Sequence, residues 1–136
     1  MKLKRFWLLL AVMIISAAAV AQKIGGKYAF TGSVVDGEHK NYNILGLVPQ
    51  KLSIILMELP GAAPCLIMTG TSEMYGVVNT FSMPTSRSSY TYSGTQNGWY
   101  VFQWGLEDVY ISADNSIVRI APNRNKYSYS EFKRIN

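Results

Sequence analysis

The sequence predicts an all-β fold: a small antiparallel β-sandwich or barrel of about eight to ten short strands, following a signal peptide. Three observations carry this expectation. Beyond residue 21 the chain is rich in Tyr, Val, Ile, Thr and Ser in short runs. Gly, Asn or Asp interrupts those runs every eight to twelve residues or so, the spacing of strands in an antiparallel domain. Two of the interruptions, Asp36-Gly37 and Asn97-Gly98, are dipeptides that tolerate positive φ and so turn hairpins.

The first 21 residues read differently. Lys2, Lys4 and Arg5 form a basic start, Phe6 to Ile15 is an unbroken apolar run, and Ala19-Val20-Ala21 is a small-x-small cleavage site before Gln22. This is the layout of a secretory signal peptide. The apolar run is shorter than the roughly 20 residues that cross a bilayer, and no charged stop follows it. We therefore expect residues 1–21 to be removed, residues 22–136 to form one domain, and the product to be periplasmic or secreted. The compact Lys-rich start points to a bacterial source. No later segment is long and apolar enough to be a membrane-spanning helix.

Along the remaining chain, Lys27 to Val35 is a strand with Tyr28 and Phe30 on one face, ended by Asp36-Gly37. Asn41 to Leu47 is a second, stopped by Pro49, which lacks a ladder donor. Leu52 to Leu59 fits a helix face or a strand covered on both sides, and its short length between Pro49 and Pro60 favours a strand. Cys65 to Thr71 and Met74 to Met83 form a hairpin turning around Gly70 to Glu73. Ser89 to Ser93 and Trp99 to Trp104 flank the Asn97-Gly98 turn. Gly105 marks a bend or bulge before Val109-Tyr110-Ile111. Ala113 to Ser116 turn the chain into Ile117 to Ile120. Lys126 to Ile135 alternates Tyr127, Tyr129, Glu131 and Lys133 with Ser128, Ser130, Phe132 and Arg134, a last strand suited to pair with the first and remove an edge.

Charge narrows the function. The chain has 13 Lys+Arg against 8 Asp+Glu, a net +5. Three of those cations lie in the first 21 residues, which leaves 10 against 8. A near-neutral domain with scattered cations lacks the basic face that nucleic acid requires. One Cys and one His cannot build a zinc site, so no metal or other cofactor is expected. Cys65 has no intrachain partner for a disulfide and reads as a small buried hydrophobe at a strand start. His39 sits in Asp36 to Lys40, read as a polar turn, where a solvated ring serves poorly as a fixed base. There is no nucleophile elbow, P-loop or dinucleotide fingerprint.

Carboxylate chemistry is the remaining enzymatic route, because two acids suffice for a glycosidase. Asp36, Glu38 and Asp114 read as turn residues, Glu107 and Asp108 point to opposite faces of a strand, and only Glu58 lies in an apolar run. No spacing asks for catalysis, and the chain is expected not to be an enzyme.

Aromatic residues are the better clue. Beyond residue 21 there are nine Tyr, four Phe and two Trp, concentrated after residue 90. Alternation puts Tyr100, Phe102 and Trp104 on one face and Trp99, Val101 and Gln103 on the other, so both faces carry a Trp and one of them points away from the core. Tyr90 and Tyr92 share a face. Tyrosine on a sheet also serves as ordinary filling, with its hydroxyl at the rim. The expected function is a non-enzymatic binding or interaction module in which Trp99, Trp104, Tyr100, Tyr90 and Tyr92 contact a small apolar ligand, a glycan or a protein partner. A small carboxylate-dependent hydrolase and an inhibitor or immunity-type protein are the alternatives.

Overall fold

The structure, a computed structural model, describes residues 24–40, 49–58, 60–84 and 89–136. The signal peptide expected at residues 1–21 and the strand expected at Asn41 to Leu47 lie outside the described residues. Among the described residues ten strands follow in order: β1 (Gly25–Val35), β2 (Glu38–Lys40), β3 (Lys51–Met57), β4 (Cys65–Met74), β5 (Val77–Met83), β6 (Tyr90–Gln96), β7 (Trp99–Trp104), β8 (Glu107–Ser112), β9 (Ile117–Ala121) and β10 (Tyr129–Arg134). One short 3-10 turn, Pro122–Arg124, lies between β9 and β10.

All ten strands belong to one antiparallel sheet, and the sheet closes on itself. β1 pairs β3 along one edge, with Tyr28 opposite Leu52, and β10 along the other, with Phe30 opposite Phe132. The ring β1-β3-β4-β6-β7-β8-β9-β10 is therefore an eight-stranded up-and-down barrel, and β2, of three residues, and β5, of seven, lie off it, paired to β1 and β4. Closure decides between the two expected architectures, and the C-terminal strand does meet the first.

Eight strands enclose a space that side chains can fill. Tyr28, Leu52, Leu66, Met68, Tyr90, Phe102, Val109, Ile111, Val118, Ile120 and Phe132 fill it, each almost fully removed from solvent. Burying one such side chain contributes roughly 1.5–3 kcal/mol. At one end of the barrel the Tyr28 hydroxyl donates to Asn115 Oδ1, and Asn115 Nδ2 donates to Gly25 O at 2.8 Å, so the polar groups carried inside are satisfied. Toward the other end the Tyr90 hydroxyl donates to Glu107 Oε1.

Several local expectations are corrected. The hairpin expected around Gly70 to Glu73 turns instead at Tyr75-Gly76, with φ of 53° and 78°. β4 runs straight through Gly70 because that position faces Phe81: a Cβ there would come within 2.8 Å of the Phe81 ring. Gly105 is neither bend nor bulge inside a strand. With φ 56° it opens the tight turn joining β7 to β8, and β8 begins at Glu107. His39 is not in a turn but on β2, opposite Val34, because Asp36-Gly37 completes the reversal first. Cys65 does begin a strand, yet it is only half-buried, and its thiol lies 3.5 Å from Ala63 O. The ambiguous stretch is the strand β3, since its residues pair in register with both β1 and β4.

Candidate functional site

Alternation along β7 sorts the aromatic residues as expected. Phe102 is fully buried in the barrel, Tyr100 packs against the core, and Trp104, of the same parity, reaches the end of the barrel at 38% exposure. Tyr90 is fully buried, and Tyr92 packs on Phe102 with ring centroids 5.3 Å apart. Tyr90, Tyr92, Tyr100 and Trp104 thus belong to the interior or its rim. Trp99 alone of the five lies on the outer face, and there it meets residues that the sequence did not single out.

The outer faces of β6 to β8 form the floor of a groove of about 350 Å³, built from Ser93, Thr95, Val101, Gln103, Asp108 and Tyr110. Arg124 and Lys126, from the segment after β9, form its wall. A bulge in β6 between Tyr92 and Gly94 shapes this floor. Gly94 has φ 128°, which other residues rarely adopt, and a Cβ built there would meet nothing, so the space above it is open. A smaller hollow of about 160 Å³ adjoins, sharing Gln96, Tyr110 and Lys126 and adding Asn97, Trp99, Arg119 and Tyr129.

The centre of the hollow is a stack. The Arg119 guanidinium carbon lies 4.5 Å from the Trp99 ring centroid and 4.5 Å from that of Tyr129. Arg119 Nε donates to Glu131 Oε2 at 3.0 Å, as the register dictates, since Arg119 and Glu131 are direct cross-strand partners. Each cation–π contact contributes about 0.5–1 kcal/mol at an exposed site. More important for function, the two rings and the carboxylate hold a flexible side chain in one orientation.

Asp108 gives the groove its buried acid, 4% exposed although on the outer face. Its Oδ2 accepts from the Tyr110 hydroxyl at 3.2 Å, while Oδ1 lies 3.6 Å from Arg124 Nε, an ion pair too long for a hydrogen bond. Burial, and then the neighbouring Asp108 charge, push the Tyr110 phenol above its ordinary range, so it stays a protonated donor. Asp108 is the one acid among the residues lining the groove and hollow.

Apart from Glu131, which pairs with Arg119 beside the hollow, the other acids lie away from the groove. Glu107 is bonded to Tyr90, on the opposite side of the sheet from Asp108. Glu58, Asp36 and Glu38 are exposed, so the apolar run around Glu58 does not bury it. Among the described residues, no group of three or more His, Cys, Asp or Glu could hold a metal ion.

Part of this site carried a sequence signal. The alternation of Ile117 to Ile120 puts Arg119 opposite in sense to Val118 and Ile120, and Tyr129 shares a face with Glu131. That Trp99 lies over Arg119, from a strand two places away, depends on sheet order. No family model, curated protein or solved structure compared with this chain matches it.

Proposed function

We propose that the chain is an exported, non-enzymatic binding module whose outer groove takes a short glycan segment. The observation that carries this reading is the joined groove and hollow, in which an aromatic stack lies beside amide, hydroxyl and charged side chains. A sugar ring has an apolar face that packs on an aromatic ring and a rim of hydroxyls that needs donors and acceptors. Trp99 and Tyr129 supply the first, and Gln103, Tyr110 and Asp108 the second. A small apolar ligand has less support, because side chains fill the barrel interior and the groove lining is largely polar. A flat protein contact fits a concave groove less well. A glycosidase would use two carboxylates, and the groove offers Asp108 alone.

The test is calorimetric titration of the domain with a panel of soluble oligosaccharides. We expect one class to bind and Trp99→Ala to weaken it about tenfold or more, while Trp104→Ala, at the end of the barrel on the inner face, leaves it unchanged. Equal binding by the Trp99→Ala variant, or no binding by any saccharide, would overturn the reading.

A further inference from the structure

We infer that the glycan bound in the groove is acidic, and that Arg119 and Lys126 read a carboxylate on one of its rings. This rests on the glycan reading of the groove and names its ligand class. The hollow beside the groove is lined by Arg119, Lys126, Gln96 and Asn97, all carrying N–H donors, and by three aromatic residues, with no acid among them. Glu131 engages Arg119 through Nε, the Trp99 and Tyr129 rings each lie 4.5 Å from its guanidinium carbon, and among the described residues its Nη nitrogens have no hydrogen-bond partner. What remains for a ligand is the Nη edge, a planar fork that matches a carboxylate in two parallel hydrogen bonds. The stack has fixed this fork beforehand, so little side-chain freedom is lost on binding. Lys126 is exposed, and no carboxylate lies within ion-pair distance of it among the described residues. With Glu131 balancing Arg119, the hollow keeps one uncompensated positive charge. Its volume, about 160 Å³, suits a carboxylate and the ring carbon that bears it, with the remaining sugar lying in the larger groove.

The experiment titrates the domain with tetramers of galacturonate, mannuronate and glucuronate, with the methyl ester of each, and with a sulfated neutral tetramer. We expect at least one free acid to bind roughly ten- to a hundredfold more tightly than its ester, with an affinity that falls as salt rises. Arg119→Gln should abolish that preference. Because Arg119 also ties β9 to β10, the exposed Lys126→Gln serves as the second variant and should reduce the preference without altering the thermal unfolding curve. If ester and acid bind alike, or the sulfated tetramer binds as tightly as the acid, the carboxylate inference fails while the glycan groove stands. If no saccharide binds, neutral ones included, the groove reading falls and takes this inference with it.

Discussion

Tyr28 shows what a single residue contributes when a barrel closes over a polar group. Its ring is fully buried, and its hydroxyl, bonded to Asn115 and near Gly25 O, stays protonated because burial pushes its pKa up to about 12. The folded state thus binds this proton more tightly than the unfolded chain, where tyrosine titrates near 10. The stability it supplies is fully present below about pH 10 and is lost as pH rises through about 12. Burial and the Glu107 hydrogen bond shift Tyr90 in the same direction. Urea unfolding midpoints should therefore fall steeply above about pH 10, and Tyr28→Phe should flatten part of that fall. An unchanged slope in the variant would count against the coupling. The sequence placed Tyr28 and Phe30 on one face, but it could not show that the Tyr28 hydroxyl finds its partner 87 residues away.

Among the hairpins, the turn chemistry separates what was legible from what was not. Asp36-Gly37 and Asn97-Gly98 both turn as their residue types require, with positive φ at each position. Tyr75-Gly76 does the same work with a residue poorly suited to it: Tyr75 has φ 53° and is 97% exposed. A left-handed conformation costs a non-glycine residue about 1 kcal/mol or more, and Asn tolerates it best. Tyr75→Asn should accordingly raise stability by about 1 kcal/mol, read as a higher midpoint in thermal unfolding, since an exposed ring gives up no packing. A lower midpoint would mean that the Tyr75 ring has contacts of its own. The turn escaped sequence reading because Tyr is no turn signal, whereas Gly70 looked like one and is instead a strand residue making room for Phe81.

For the molecule as a whole, closure is the decisive event. β10 contributes Phe132 to the core and pairs with both β1 and β9. Removing residues 129–136 would open the ring, expose the inner faces of β1 and β9, and leave two long unpaired edges. The truncated chain should lose its cooperative thermal transition, followed by near-ultraviolet circular dichroism; a retained sharp transition would show that the open sheet is stable without closure. Period-two alternation and turn dipeptides are local properties, and from them the sequence by itself determined the all-β class and the two faces of the Trp99–Trp104 strand, while the strand preferred at Leu52 to Leu59 and the expected pairing of first and last strands were settled only in the fold, as β3 (Lys51–Met57) and the β1–β10 pair. Only the tertiary structure decided between barrel and sandwich, and only it brought Trp99, Arg119 and Tyr129 together from three strands while leaving Tyr90, Tyr92 and Tyr100 with the core. The reason is physical: alternation fixes which side of a sheet a residue takes, but its neighbours on that side depend on strand order, register and closure, which link residues far apart in the chain.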